Sequence, residues 1–188
     1  MLKVSDYFTP TTLAFNTNDD DLGTSTAILL PDQSGTFPHV MVGGDKLGTL
    51  YLLNRDNMGK YHSSGDQVLR EIRGAVGVRL STSADCNPNS DDYNYSTPAY
   101  WNGNLYFARV NDNVKQFTIA NGQISGPRSK SPTTYGYPGA TPTVTANGTT
   151  NAIVWTVEPG KAILHAYDAT NDRTSSLAAR KLLGGATR

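Results

Sequence analysis

Gly48-Thr-Leu-Tyr-Leu-Leu-Asn-Arg-Asp56 decides the fold, because stretches of the same kind recur twice further along the chain. The second copy is Asn104-Leu-Tyr-Phe-Ala-Arg109 with Val114-Lys-Gln-Phe-Thr-Ile-Ala-Asn-Gly122. The third is Asn151-Ala-Ile-Val-Trp155 with Ala162-Ile-Leu-His-Ala-Tyr-Asp-Ala-Thr170. Each copy is rich in the aromatic and branched residues that favour strands, and polar turns separate the strands. The repetition predicts several antiparallel sheets of similar construction.

The turns give the repeat its period. Pro98-Ala-Tyr-Trp-Asn-Gly103 and Pro142-Thr-Val-Thr-Ala-Asn-Gly148 are extended runs that end in Asn-Gly, a strong hairpin signal. The two prolines lie 44 positions apart, close to the roughly 40–50 residues of one propeller blade. The sequence therefore predicts an all-β fold, a partial β-propeller of about three four-stranded antiparallel blades over residues 1–174. Residues 175–188 are rich in helix formers and read as a tail outside that pattern.

Individual strands follow from the same pattern. Residues 2–8 read as the outer strand of a preceding blade, and the polar stretch after Asn121-Gly122 as a short outer strand. The remaining predicted strands are 26–31, 39–43, 49–54 and 67–72 in the first blade, 105–110 and 114–119 in the second, and 153–157 and 162–167 in the third.

The composition excludes several classes of protein. The 188 residues include 16 basic and 16 acidic side chains and no basic stripe, which argues against nucleic-acid binding. No apolar run is long enough to span a bilayer, so we expect a soluble protein without a membrane partner. The first residues lack the apolar core of a secretory signal, and a single cysteine excludes an internal disulfide.

Several segments resemble the pyrroloquinoline-quinone-like (quinoprotein-like) repeat family of β-propellers. Ala166-Tyr-Asp-Ala-Thr-Asn171 matches the start of the family's blade motif, although Asn171 stands where the motif has Gly and no Trp follows. The resemblance covers roughly residues 1–172 and implies the propeller fold. Members are often exported in bacteria, but the compartment of this chain stays open. The other similar segments are Asp6-Tyr-Phe-Thr-Pro10, Asp19-Asp-Asp-Leu-Gly23, Gly44-Asp-Lys-Leu-Gly-Thr-Leu-Tyr51 and Tyr137-Pro-Gly-Ala-Thr-Pro142.

The resemblance does not extend to cofactor chemistry. Family members that bind the quinone carry more blades and a set of quinone and calcium ligands, with adjacent cysteines in the alcohol dehydrogenases. This chain has one cysteine and about three blades. The resemblance therefore carries over neither quinone binding nor dehydrogenase activity, and we assign no cofactor residues from it.

One carboxylate cluster suggests a metal. Asp19, Asp20 and Asp21 follow Asn16 and Asn18 and precede Gly23, so oxygen ligands are dense enough to bind Ca²⁺. The spacing is not that of an EF-hand loop. The alternative is a solvated turn whose side chains cap their own backbone.

Acid–base chemistry would rest on histidines and nearby carboxylates. His62 lies in a polar loop and His165 in a predicted strand, and Asp91 and Asp92 offer acids in the long connection before the second blade. Imidazole titrates near neutral pH and serves as a general base. Glu158 sits at a blade edge, where a second acid would be needed for glycoside chemistry. The alternative is that the histidines are packed or simply exposed.

Aromatic residues crowd the entries of the second and third blades. Tyr95, Trp101 and Tyr137 are candidates for a platform on which a sugar or another small ligand stacks at the channel mouth. The alternative is that these rings pack between blades.

A partial propeller leaves two blade faces uncovered, which predicts self-association as a homodimer or a higher oligomer. The leading functional hypothesis is a binding or scaffold module that takes its ligand at the channel mouth. The alternative is a small hydrolase of esters, phosphates or glycosides, with an acid and a histidine at a blade or subunit interface. Whether the chain is an enzyme is left open, and a third interpretation is a fragment of a longer propeller.

Overall fold

The computed structural model describes residues 1–11, 21–76 and 93–170. These residues form an all-β fold of three antiparallel sheets and one short 3₁₀ turn at Leu22–Thr24. Sheet 1 consists of β1 (Ile28–Leu29), β2 (Val40–Gly44), β3 (Leu50–Asn54) and β4 (Arg70–Ile72). Sheet 2 consists of β5 (Ala99–Trp101), β6 (Asn104–Phe107), β7 (Asp112–Ala120) and β8 (Gln123–Tyr135). Sheet 3 consists of β9 (Thr143–Asn147), β10 (Thr150–Glu158) and β11 (Ile163–Asp168).

Within each sheet the strands follow one another in chain order, so every neighbouring pair is a simple antiparallel connection. The predicted hairpins are confirmed at the Asn-Gly turns. Asn102 and Gly103 join β5 to β6 with φ of 44° and 76°, and Asn121 and Gly122 join β7 to β8 with φ of 52° and 65°. Positive φ at both central residues matches the twist of the flanking strands, and Asn-Gly tolerates it best.

Two predicted outer strands differ from the structure. β8 is not short: it extends over 13 residues and continues to Tyr135, opposite the whole of β7. Residues 2–8 do not form a strand; they make an isolated parallel bridge between Phe8 and Lys60. The segment is held instead by the loop after β3, because the Asp6 carboxylate accepts a hydrogen bond from the Met58 backbone N–H at 2.7 Å and the Thr11 backbone N–H donates to Asp66 at 2.7 Å.

Sheet 2 lies between the other two sheets, and its strand β6 is buried on both faces. Side chains alternate along β6, so Leu105 and Phe107 face sheet 1 while Tyr106 faces sheet 3. The first core lies between sheets 1 and 2, and its members include Val42 and Leu52 of sheet 1 and Phe117 of β7. The second core, between sheets 2 and 3, contains Tyr106, Ala108, Val114, Tyr135, Ala140, Ala152, Val154, Tyr167 and Ala169.

The outer faces of the two end sheets differ. On sheet 1, Tyr51 is buried, and Phe8 packs against its ring with centroids 5.4 Å apart. On sheet 3, Val157 and Leu164 pair across β10 and β11 and remain 55% and 54% exposed. Residues 171–188, which include the predicted tail, lie outside the described residues. Among the residues that the structure does describe, no helix is long and apolar enough to cross a membrane.

Candidate functional site

The connections at one end of the three sheets meet each other, and we call this the loop end. It contains the turns after β2, β6 and β10 and the segments that enter β5 and β9. Backbone hydrogen bonds link these loops in sequence, from Asn94 N–H to the Lys46 carbonyl, from Val110 N–H to the Tyr93 carbonyl and from Ala140 N–H to the Ala108 carbonyl. Irregular segments joined in this way on a rigid scaffold are common places for binding sites.

A cleft of about 400 Å³ opens at the loop end, beside the start of sheet 3. The Tyr95 ring forms part of its wall and makes edge contacts with the rings of Tyr93 and Tyr137, whose centroids lie 6.3 Å and 5.8 Å away. The structure thus brings together two of the three predicted ligand-binding aromatics, Tyr95 and Tyr137. The cleft is lined by Tyr95, Pro138, Gly139, Ala140, Thr141, Val157 and Pro159.

The third predicted aromatic, Trp101, lies elsewhere. Its indole N–H donates to the Gly148 carbonyl at 2.9 Å, and its ring packs against the core between sheets 2 and 3. Trp101 therefore packs between sheets 2 and 3 and does not line the cleft.

Gly139 fixes the back wall of the cleft. Its φ is +85°, and a Cβ at this position would lie 2.6 Å from the Ala108 carbonyl oxygen. A glycine is therefore needed for the chain to pass this close to the end of β6. The adjacent bridge between Ala108 and Ala140 holds the segment in place.

An ionic cluster centred on the buried Glu158 carboxylate lies on the face of sheet 3 that packs on sheet 2. The Glu158 carboxylate contacts Lys161 Nζ at 2.6 Å through Oε1 and His165 Nε2 at 2.9 Å through Oε2. Glu158 and His165 come from facing strands, with side chains 7% and 17% exposed. The Lys161 ammonium and then the His165 ring lower the pKa of Glu158 below its ordinary value, although burial opposes them.

Two tyrosines hold the His165 ring. It stacks on Tyr167 with an interplanar angle of 2° and meets Tyr135 edge-on. The Tyr135 hydroxyl is hydrogen-bonded to Tyr167 at 2.6 Å and to Thr156 at 2.5 Å. Burial raises the pKa of Tyr135 well above its ordinary value, so this hydroxyl stays protonated. The arrangement orients an imidazole against a carboxylate, the geometry of a base and its orienting acid.

The other predicted site residues are dispersed or undescribed. His62 is exposed in a turn closed by a hydrogen bond from Gly65 N–H to its carbonyl. The Asp21 carboxylate faces a cation, Lys46 Nζ, at 3.8 Å. Within the described residues, no three His, Cys, Asp or Glu side chains are grouped as metal ligands. Asp19, Asp20, Asp91 and Asp92 lie outside the described residues, so the calcium hypothesis and the acids of the long connection stay predictions.

Sequence reasoning missed a second buried charged group at the loop end. Asp45 is 1% exposed and accepts hydrogen bonds from the Thr49 backbone N–H at 2.8 Å and from the Tyr51 hydroxyl at 3.0 Å. Burial raises its pKa above the ordinary value. The next residue, Lys46, has a side chain only 8% exposed and places Nζ 4.8 Å from the Tyr93 ring centroid. The sequence signal that could have identified this group is the adjacent charged pair Asp45-Lys46, which lies in a short turn between the apolar strands β2 and β3.

Comparison of the chain with protein-family models, with curated proteins and with solved structures finds no match.

Proposed function

We propose that the protein is a binding module built as part of a β-propeller of the quinoprotein-like kind, and that it takes a small neutral ligand in the loop-end cleft. The observation that carries the proposal is the cleft itself. Its volume of about 400 Å³ falls in the range of small-molecule sites, and it is lined by apolar and aromatic groups with a few polar ones.

The chemistry of the walls favours a sugar ring. The side chains that line the cleft carry no charge, so an ionic ligand gains no partner there. Tyr95 is half-buried and backed by two further rings, which keep it rigid as a stacking surface. The C–H face of a sugar packs on such a ring, while the Thr141 hydroxyl and exposed peptide groups are available to the sugar hydroxyls.

The experiment is a calorimetric screen of neutral mono- and oligosaccharides, followed by Tyr95→Ala. Loss of the ring removes about 1 kcal/mol of stacking, so we expect binding to weaken about fivefold. Tyr61→Ala is the matched control, because Tyr61 is 45% exposed and does not line the cleft. Equal affinity in both variants, with both folded by circular dichroism, would place the ligand somewhere else.

A second candidate function is hydrolysis, and the His165–Glu158 pair is the observation that favours it. The 2.9 Å contact and the stacked ring supply an oriented base. The Thr156 hydroxyl in the same network is bonded to Tyr135, so His165 would act on water or on a group of the substrate. Turnover of ester, phosphate or glycoside substrates that disappears in His165→Gln and persists in His62→Gln would support this role. Turnover that His165→Gln leaves intact would eliminate it.

We also propose that a second copy of the chain covers the outer face of sheet 3. The apolar residues of this face, by strand alternation and register, are Ile153, Trp155, Val157, Leu164 and Ala166, and Asp168 and the β9 threonines Thr143 and Thr145 lie at its margins. These apolar side chains are of the same kind as those buried between the sheets of one chain. A two-fold axis would pair the face with the same face of a second copy. With 16 basic and 16 acidic residues, net charge does not oppose association.

Light scattering on a sizing column tests this contact. Leu164→Glu should shift a dimer to monomer, because a carboxylate would be buried without a partner. Leu29→Glu is the control, since Leu29 is similarly exposed at 64% but lies on β1 of sheet 1. A parent protein that is monomeric at high concentration would refute the contact.

A further inference from the structure

Three cationic side chains line one open cavity on sheet 2, away from the loop-end cleft. Lys115 comes from β7, and Arg128 and Lys130 come from β8. Together with Pro127 and Ser129 they surround a volume of about 210 Å³. The sequence shows no basic run here. The group exists because the register of the long β7–β8 pair sets Lys115 directly opposite Lys130.

A Lys–Lys pair directly across two strands disfavours the sheet, because like charges at this spacing repel each other. The Lys115 side chain is only 18% exposed, which weakens screening by water. Asp112 contacts Lys115 Nζ at 2.5 Å and offsets one of the three positive charges. Arg128 and Lys130 are exposed and face the same cavity, so the group retains an excess of positive charge.

A hydrogen-bond network adjoins this cavity through Ser129, which is one of its lining residues. Gln116, which follows Lys115, donates to the Asn104 side-chain oxygen at 2.9 Å and accepts a hydrogen bond from the Ser129 hydroxyl. The β7–β8 register shifts between Asn113 and Lys115 and again between Gln116 and Thr118, so irregular pairing flanks the cationic pair on both sides. Such irregularities re-aim side chains within a sheet.

We propose that Lys115, Arg128 and Lys130 form a binding site for a tetrahedral oxyanion, a phosphate or sulfate group. Arginine presents a planar fork that two oxyanion oxygens accept together, and the two ammonium groups add point charges from facing strands. A bound oxyanion would also remove the repulsion between Lys115 and Lys130. This site does not depend on the proposed sugar cleft, and its tests use different ligands and variants.

The experiment is a titration with inorganic phosphate and with sodium sulfate at low, constant ionic strength, followed by amide chemical shifts. We expect saturable shifts centred on Lys115 and on residues 128–130. Arg128→Gln and Lys130→Gln should each weaken binding about tenfold or more, because each loses a charge-assisted hydrogen bond. The matched control is Arg70→Gln, an exposed arginine on β4 that should leave the affinity unchanged.

A second measurement separates a binding site from a structural role. Without oxyanion and at low salt, Lys130→Gln should unfold at the same temperature as the parent or a higher one, because the substitution removes a like-charge pair. Added phosphate should raise the unfolding temperature of the parent and not that of the variant. A variant that is destabilised without the ion, and stabilised by phosphate as much as the parent, would refute the site.

Two further titrations distinguish a free oxyanion from one that is esterified to a larger ligand. Glucose 6-phosphate or glucose 6-sulfate that binds more tightly than the bare ions would assign an esterified ligand, whereas equal affinity would assign the free ion. Sodium chloride at matched ionic strength is the control for screening. Shifts of the same size with chloride, phosphate and sulfate would show charge screening alone and overturn the proposal.

Discussion

Asp45 and Glu158 occupy equivalent places in sheets 1 and 3, where the second strand of each sheet ends, yet their pKa values move in opposite directions. Asp45 is bonded to the neutral Thr49 N–H and Tyr51 hydroxyl, and burial raises its pKa. Glu158 is bonded to the Lys161 ammonium and to the His165 ring, and its pKa is lowered.

The comparison teaches that the partners, and not burial alone, set the charge of a buried carboxylate. Neutral donors satisfy the oxygens of Asp45 but do not offset the loss of hydration, whereas the Lys161 ammonium and the His165 ring together do so for Glu158. In sheet 2 the corresponding place after β6 holds Arg109, which is 4% exposed. The repeated architecture therefore keeps a charged residue at this corner without fixing its sign.

The largest expected effect is that of Asp45→Ala. The substitution leaves the Thr49 N–H and the Tyr51 hydroxyl buried without the acceptor that they share, at a cost of about 1–3 kcal/mol in the free energy of unfolding. Asp45→Asn is the matched control, because its amide oxygen keeps one acceptor at nearly the same volume. Urea unfolding at neutral pH measures both, and equal destabilisation of the two variants would show that the hydrogen bonds are not responsible.

A smaller effect is expected in the pH dependence of stability. Because the pKa of Asp45 is raised from 3.8, the folded state binds this proton more tightly than the unfolded state does. The contribution of Asp45 to stability is thus fully present below pH 3.8 and is lost as the pH rises through the folded value. Relative to the parent, Asp45→Asn should gain stability over this interval, because the amide does not titrate. A parallel pair of stability–pH curves would contradict the prediction.

The contribution of Glu158 to stability should change with pH in the opposite direction to that of Asp45. Its pKa is lowered from 4.5, so its contribution is present above pH 4.5 and is lost as the pH falls through the folded value. Glu158→Gln should therefore unfold at a lower temperature than the parent at pH 7 and approach it under acid conditions. Thermal unfolding at pH 7 and near pH 3 measures the difference, and a deficit that is the same at both would assign the effect to packing.

The smallest effect is expected for Lys161→Gln. The Lys161 side chain is 70% exposed, so water and salt already screen its contact with Glu158. Thermal unfolding of this variant at pH 7 should fall close to the parent and well above Glu158→Gln. A loss equal to that of Glu158→Gln would mean that the Lys161 contact keeps its full strength in spite of its exposure, and would contradict the prediction.

The local part of the fold was predictable. Asn-Gly turns such as Asn102-Gly103 fix the backbone through their own positive φ values, so the hairpins follow from two adjacent residues. The length of β8 was not predictable, because most of its residues are exposed and polar and give no alternation of apolar residues. The N-terminal segment was misread as a strand because its pattern does not reveal that Asp6 bonds to the Met58 backbone N–H.

The candidate sites divide in the same way. Tyr95 and Tyr137 stood out in the sequence as candidate ligand-binding residues, because aromatic residues crowd the starts of the second and third repeats. The contact between His165 and Glu158 depends on the register of β10 against β11, and that between Asp45 and Tyr51 depends on the fold of a turn. The approach of Lys115 to Lys130 requires the register of β7 against a strand whose extent the sequence did not show.

Burial of both faces of β6 has a consequence for how the molecule opens. Leu105, Tyr106 and Phe107 are each 1% exposed or less, and their side chains alternate between two cores. To expose this strand, the chain must separate sheet 2 from both neighbours, whereas sheet 1 or sheet 3 separates by breaking one core. Amide hydrogens of β6 should therefore exchange with deuterium only through global unfolding, and those of the end sheets through smaller openings.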